Sequence, residues 1–232
     1  MSIDVDIRNI RKDYTKNILD ESSLLENPLD LFIIWLNEAI TYELKEPNAM
    51  ALSTVFNNKP KTRIVLLKQI LKEKFIFFTN YNSNKSKEIE KNPYISLTFF
   101  WEEMQRQVRI EGIATKTSEI ISDEYFSMRN RESQIAAWVS NQSEEVTKEE
   151  LENRLIIFNE KFKDISIPRP NHWGAYEVNP TLIEFWQGGP NRLHNRFVYE
   201  KNSSIWSKKR IAPWKKLKKA VKMTAFFIKY YL

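Results

Sequence analysis

The densest concentration of reactive side chains in the sequence lies between Glu184 and Arg196, in EFWQGGPNRLHNR. In an extended chain, Arg192, His194 and Arg196 project from one face beside Trp186 and a Gly188-Gly189 turn, which places two permanent charges next to one titratable ring. A structural sheet has little use for that arrangement, whereas an anion site does. The flanking arginines should also lower the pKa of His194.

Four further groups have types and spacings that suit anion binding. Arg63-Ile64-Val65-Leu66-Leu67-Lys68 is an apolar strand with a cation at each end. Its five-residue gap puts the two cations on opposite faces of a regular strand, unless the strand is bulged, and both arrangements stay open. Phe78-Thr79-Asn80 precedes Ser83-Asn84-Lys85 at a helix start, where free N–H groups and an ammonium suit a phosphate. Tyr125, Arg129 and Ser133 are spaced by four and four, so on one continuous helix they share a face and offer a phenol, a guanidinium and a hydroxyl to a phosphate. Gln142-Ser143 adds two small polar groups after the apolar AAWV run. Each group taken singly has an ordinary alternative: a strand with solvated ends, a Ser N-cap beside a surface lysine, a solvated helix face, a turn.

Composition narrows the chemistry. The four glycines, Gly112, Gly174, Gly188 and Gly189, cannot form GxGxxG or GxxxxGK, so a phosphate here must be held by side chains or helix N-termini. The absence of cysteine removes disulfides, thiolate catalysis, iron–sulfur clusters and cysteine-based zinc sites, and no metal ligand set is expected. The formal charge of +6 resides in residues 214–232, which carry six lysines and no acid, so the body is neutral and no nucleic-acid partner is expected. The N-terminus lacks an apolar h-region and no stretch reaches the length of a membrane span, which points to a cytoplasmic protein.

The elements that must position these groups read as α+β. With 42% hydrophobic residues over 232 positions the chain can bury one substantial core. Ile3, Ile7, Ile10 and Tyr14 predict a helix over 3–19, and Asn27-Pro28 opens a second, with Leu29, Phe32, Ile33, Leu36 and Ile40 facing the core. AMALSTVF, a turn at Asn57-Asn58-Lys59-Pro60, TRIVLLKQI and KFIFFTN read as a meander. A short helix from Ser83 and the strands YISLTFFW and RQVRIEGIA follow. Helices are predicted over 118–128 and after Thr147, where Glu150 completes a capping box and Leu151, Leu155 and Phe158 form the buried stripe. HWGAYEV, TLIEFW, RFVYE and SIWSKK close the chain as strands, with a turn at Lys201-Asn202-Ser203. Strands in succession without regular helical crossovers argue for an antiparallel sheet or barrel.

WQGGPNRLHNRF resembles the pyridoxine 5'-phosphate oxidase family, whose pattern WQGG..RLH.R is met at Trp186 to Gly189, Arg192 to His194 and Arg196. RIVLLK, the FxTN.xSxK segment, RQV at Arg106 to Val108, SQIxAWVSxQS at Ser133 to Ser143, and Arg210-Ile211-Ala212-Pro213 fall in that family's order. The resemblance extends from about residue 8 to Pro213 and outweighs the ordinary alternatives for each group.

It implies an antiparallel split β-barrel with surrounding helices, acting as a homodimer that holds FMN at the subunit interface. The implied activity is FMN-dependent oxidation of pyridoxamine or pyridoxine 5'-phosphate to pyridoxal 5'-phosphate, with hydride passing from C4' to flavin N5 and dioxygen reoxidising the flavin. FMN contacts by resemblance fall to Arg63, Ile64, Val65, Leu66, Leu67, Lys68, Phe78, Thr79, Lys85, Gln107, Gln142, Ser143, Trp186 and Arg196. Substrate contacts fall to Lys68, Tyr125, Arg129 and Ser133 around the phosphate and to Arg192, Leu193 and His194 near the ring, with Arg192 and His194 as catalytic candidates. Arg11 and Tyr14 match an N-terminal segment that covers the site. A split-barrel flavin reductase or a flavin-binding protein without turnover is the alternative class; the phosphate clamp and the retained Arg192 and His194 argue against it.

The sequence departs from the family at two positions. Asn84 stands where an arginine is usual, which removes one cation from the FMN phosphate, and Asn195 stands where an acid beside Arg196 is usual. Residues 214–232 follow the Pro213 at which the family pattern stops. Two readings of them stay open: an amphipathic helix drawn to anionic membrane surfaces, or an altered end without function.

Overall fold

Asn27 caps the first helix, α1 (Pro28–Thr41), by accepting the Leu29 N–H, and Pro28 occupies a first-turn position whose missing N–H costs nothing. The computed structural model describes residues 6–9 and 12–213. Arg11 and the tail 214–232, both assigned roles above, lie outside the described residues. Helix α1 buries Leu29, Leu31, Phe32, Trp35 and Ala39, while the expected core residues Ile33 and Ile40 are exposed. PLDLFIIWL is apolar on nearly every side, so periodicity cannot single out the stripe. The partners do: Phe32 packs edge-on against Phe75 and Phe99, and Trp35 against Phe185.

Nine strands among the described residues form one antiparallel sheet: β1 (Ala49–Phe56), β2 (Lys59–Leu66), β3 (Gln69–Leu71), β4 (Lys74–Asn80), β5 (Tyr94–Trp101), β6 (Arg106–Lys116), β7 (Trp173–Gln187), β8 (Asn195–Asn202) and β9 (Ile205–Arg210). The order is β2-β1-β5-β6-β7-β4-β3, with β8 also on β7 and β9 on β8. Both residues of Asn57-Asn58 have positive φ, the geometry of a two-residue hairpin, so Lys59 and Pro60 are already paired and the expected four-residue turn is shorter. The last hairpin likewise turns at Ser203-Ser204, because Asn202 is still paired with Ile205.

HWGAYEV and TLIEFW, expected as two strands, are the single 15-residue β7. Its register with β6 shifts between Glu111 and Gly112, opposite Pro180, which has no N–H for the ladder. A Cβ on Gly112 would come within 2.5 Å of the Asn179 carbonyl oxygen, so only glycine fits this approach. On one side of the shift β7 pairs with β4; on the other it pairs with β8. This exchange of neighbours splits the barrel and gives β7 two ends with different surroundings.

The helices are α2 (Asn84–Lys91), α3 (Glu119–Ser127), α4 (Arg131–Val139) and α5 (Lys148–Lys161). The Thr147/Glu150 capping box opens α5 as predicted, but the helix buries none of its residues fully and Leu155 is exposed; Leu151 and Phe158 pack against a small cluster around Trp173. The helix predicted over 3–19 is absent from the described part, where Lys12 to Asp20 are irregular. Long-range bonds replace it: the Thr15 and Lys16 N–H groups both donate to Gln105 Oε1, and Leu19 is buried in the main core. No helix among the described residues is long and apolar enough to cross a membrane.

Candidate active site

Strand β2, the start of α2, the α3–α4 corner and the loop after α4 enclose a cavity of about 970 Å³, at the upper end of the range for ligand sites. Four cations line it, Arg63, Lys68, Lys85 and Arg129, and among the described residues no carboxylate does. Phe78, Tyr125 and Trp173 supply an aromatic wall: Phe78 stacks on Tyr125 at 4.0 Å and on Trp173 at 5.4 Å between ring centroids. A concave site with aromatic walls, in which Lys68, Lys85 and Arg129 make no salt bridge among the described residues and only Arg63 is paired, suits a planar, anionic ligand.

Both Arg63 and Lys68 reach this cavity because β2 ends between them. The Leu67 N–H donates to the Asn48 carbonyl and the Lys68 N–H to the Ile76 carbonyl, each at 2.9 Å, so the chain leaves the β1 ladder for β4 and the strand alternation is lost. Leu67 turns into the core and does not line the cavity, whereas Ile64, Val65 and Leu66 do.

Lys85 is almost fully buried, with its Nζ 3.0 Å from Thr79 Oγ1, 3.0 Å from Gln142 Oε1 and 3.2 Å from Ser83 Oγ. Burial pushes its pKa down to about 8, Arg63 adds to that, and Glu88 opposes it. Glu88 is a buried acid that sequence reasoning missed; it pairs with Arg63 at 2.7 Å, while Arg63 also donates to Thr54 Oγ1 at 2.6 Å. Its signal was weak, one glutamate in a polar helix. Asn84 lines the cavity with an amide, and its backbone N–H donates to Ser143 Oγ at 3.2 Å.

Tyr125, Arg129 and Ser133 meet in the cavity, but not on one helix face. Helix α3 ends at Ser127, and Asn130 starts α4 by accepting the Ser133 N–H at 3.1 Å. The corner, rather than an i, i+4 stripe, aims the three groups inward. Arg129 lies with its guanidinium carbon 4.6 Å over the Trp173 ring, and its buried NH1 has no hydrogen-bond partner. Burial lowers its pKa from the usual arginine value. A buried, charged, partnerless donor beside a hydroxyl and a phenol is what a bound phosphate would satisfy, so these residues fit such a group.

The remaining sequence candidates form a second cluster. Trp186 lies tilted against His194 at 4.7 Å between centroids, and Tyr14 packs edge-on to both. Gln107 pairs with Trp186 across the sheet, and Arg196 pairs with it from the other side. Arg192, His194 and Arg196 do not alternate along an extended chain: Pro190 to Arg192 form a 3-10 turn in which Asn191 and Arg192 have positive φ, and Arg192 and Leu193 are exposed. The glycine pair is not a φ-driven turn either, since neither residue has positive φ; a Cβ on Gly188 would come within 2.7 Å of the Tyr14 ring.

His194 Nδ1 accepts the Gly189 N–H at 3.2 Å, which assigns the ring proton of the neutral form to Nε2. Burial, then Arg192 and Arg196, hold its pKa below the usual histidine value, as the sequence pattern implied. Arg196 keeps an acidic neighbour despite Asn195: the buried Glu184 accepts from it at 2.7 Å and from Arg109 at 2.8 Å, while Asn195 Oδ1 accepts from Arg210.

None of Tyr14, Gln107, Trp186, Arg192, Leu193, His194 or Arg196 lines the cavity. Trp173 at one end of β7 belongs to the cavity and Trp186, near the other end, to the second cluster. Twelve residues of strand lie between them, up to roughly 40 Å at about 3.3 Å per residue. One chain therefore carries the candidate residues in two clusters that it does not bring together.

Residues 36–157 match the family described as pyridoxamine 5'-phosphate oxidase, and residues 173–213 match the pyridoxine 5'-phosphate oxidase C-terminal dimerisation region. A pyridoxine/pyridoxamine 5'-phosphate oxidase of Haemophilus ducreyi is 49% identical over 210 residues, covering 90% of this chain and 100% of that protein. The chain belongs to the pyridoxine/pyridoxamine 5'-phosphate oxidase family. Another family member, from Leptospira interrogans, is 49% identical over 214 residues, 91% of this chain and all of its own. Among solved structures, PhzG from Burkholderia lata, in complex with tetrahydrophenazine-1-carboxylic acid, has 26% identity and a TM-score of 0.80 over 85% of this chain and 98% of its own. The boundary between the two family regions falls just before β7, so the cavity side chains come almost entirely from the first and the second cluster mostly from the second.

Proposed function

We propose that this chain is an FMN-dependent oxidase of pyridoxamine 5'-phosphate and pyridoxine 5'-phosphate that yields pyridoxal 5'-phosphate. One observation carries the reading: a cavity with four cations, three stacked aromatics and no acid, in a chain of this family. Two phosphate-bearing aromatic molecules account for that charge. Arg63, Lys85, Thr79, Gln142 and Ser143 would hold the FMN phosphate, and Lys68, Tyr125, Arg129 and Ser133 the substrate phosphate.

FMN, when bound, would take a hydride, with its two electrons, from the substrate carbon while a proton leaves the amine or hydroxyl, and would be reoxidised by dioxygen, which leaves as hydrogen peroxide. The chain's own part is to bind and orient. The α3–α4 corner would hold the substrate phosphate, and C4', on the ring carbon next to the one that bears the phosphate arm, is thereby kept in place in the cavity. His194 is neutral at physiological pH, with its Nε2–H free to donate, and Arg192 brings a permanent charge to the same cluster.

Both clusters act on one ligand only when two chains associate, so the active form is a two-fold homodimer with two composite sites, each built from the cavity of one protomer and the second cluster of its partner. The catalytic unit is residues 1–213 in a cytoplasmic enzyme, and the tail takes no part in turnover. The test is anaerobic: pyridoxamine 5'-phosphate should bleach the bound flavin of the full chain and of a chain ending at Pro213, and air should restore it. A colourless protein that takes up no FMN, or a flavin the amine cannot reduce, would overturn the assignment.

Lys85 sets a pH limit on cofactor affinity. Its charged form is disfavoured in the free protein, with a pKa of about 8, and an FMN phosphate favours that form, so binding takes up a proton above this pH. FMN affinity is expected to be flat below about pH 8 and to fall above it by up to about tenfold per unit. Flavin-fluorescence titrations between pH 6.5 and 9.5 check this, and Lys85→Arg should abolish the slope.

A further inference from the structure

Arg129 is held in an unusual way. Buried arginines are ordinarily neutralised by a carboxylate, which occupies the in-plane N–H donors. Among the described residues Arg129 makes no salt bridge; its guanidinium lies over the face of Trp173 at 4.6 Å and, at longer range, over Phe126 at 5.7 Å. A ring face attracts the cation through its quadrupole and takes none of the in-plane donors. NH1 is accordingly buried with no partner, in a cavity where no acid is present to claim it.

The platform itself is fixed from several sides. Trp173 is 8% exposed, stacks parallel to Phe78 and Tyr125, and meets the edge of Phe126. Its carbonyl accepts from Arg169 at 2.8 Å, and Arg169 is tied to Asp123 at 2.6 Å. The ring stacked on Tyr125 therefore also carries Arg129, so one indole aligns two of the four groups around the substrate phosphate.

We propose that Trp173 is a positioning residue for phosphate discrimination: it carries Arg129 on its ring face in place of a carboxylate, leaving the guanidinium donors free for the substrate phosphate alone. A substrate without phosphate leaves a desolvated cation unpaired, and that mismatch is the source of selectivity. The inference rests on the proposed oxidase reading and on the placement of the substrate phosphate at Arg129.

The experiment compares holoenzyme with Trp173→Leu, which removes the π face, and Trp173→Phe, which keeps a weaker one. Three quantities are measured: kcat/KM for pyridoxamine 5'-phosphate relative to unphosphorylated pyridoxamine, the competitive inhibition constant of inorganic phosphate, and the FMN content. For Trp173→Leu the substrate ratio should fall and the phosphate constant should rise, each by about ten- to thirtyfold, the size of a desolvated cation–π contact, chiefly through KM. Trp173→Phe should recover most of both, and FMN content should hold. Equal losses on both amines, or a phosphate constant within twofold of wild type, overturn the proposal. If Trp173→Leu does not fold, Trp173→Phe decides: a phosphate constant raised severalfold supports it, and an unchanged one overturns it. Should the wild-type flavin not be reduced by the phosphorylated amine at all, the oxidase reading fails instead.

Discussion

Replacing Arg129 with methionine is expected to lower kcat/KM for pyridoxamine 5'-phosphate by roughly a hundred- to ten-thousandfold, while flavin stays bound and the folded protein is no less stable. The activity loss follows from two charge-assisted hydrogen bonds, each worth about 1.5–3 kcal/mol in a site shielded from water. It should appear mostly in KM, because the phosphate is held in ground state and transition state alike. The stability result has the opposite logic. Arg129 is partly buried, carries an unpartnered NH1 and has its pKa lowered by desolvation, so the free protein keeps a charge it does not neutralise. Methionine fills similar volume without that cost. Steady-state kinetics with both phosphorylated and unphosphorylated amines, and thermal unfolding of the flavin-free protein, check the two halves. A melting temperature several degrees below wild type would show that the guanidinium is structural, and near-normal kinetics would remove it from the phosphate site.

Mixing two inactive variants should restore activity. Arg129→Ala damages the cavity and Arg192→Ala the second cluster; Arg129 lies over Trp173 at the start of β7, and Arg192 follows its end. If each active site takes one half from each protomer, a mixed dimer contains one site with both lesions and one with neither. Random reassortment makes half the dimers mixed, so about a quarter of wild-type activity should return, from a baseline of a per cent or less. The expected gain is large, and it depends on geometry rather than on the strength of any single contact. Subunits must exchange for this to be seen, so co-expression with two affinity tags is the suitable format. Purified mixed dimers that stay as inactive as either parent would place both halves of the site within one chain.

Several features of this protein were legible in the sequence because they depend on neighbours along the chain. Asn27-Pro28 and the Thr147/Glu150 capping box mark helix starts by local hydrogen bonding. The alternation in YISLTFFW matches β5 residue for residue, because a strand with one buried face must alternate. The groups available for anion binding are also legible: a chain whose glycines cannot form a phosphate loop has side chains and helix N-termini as its means of holding a phosphate.

The tertiary structure decided what depends on partners distant in sequence. The expected stripe of α1 holds at Leu29, Phe32 and Leu36 but not at Ile33 and Ile40, because an all-round apolar helix has its buried face chosen by Phe75, Phe99 and Phe185. Arg63 and Lys68 share a cavity because Lys68 bonds to β4 and no longer follows β2. Tyr125, Arg129 and Ser133 converge through a helix corner that no i, i+4 rule contains. Trp173 and Glu88 drew no notice as residues in a string; one becomes the platform under Arg129 and the other the partner of Arg63. Sequence pattern records which groups are available and how each short segment folds. Which groups face one another, which charge is left unpaired, and which clusters a single chain keeps apart are set by long-range packing, because burial and strand pairing join residues that the chain itself keeps far apart.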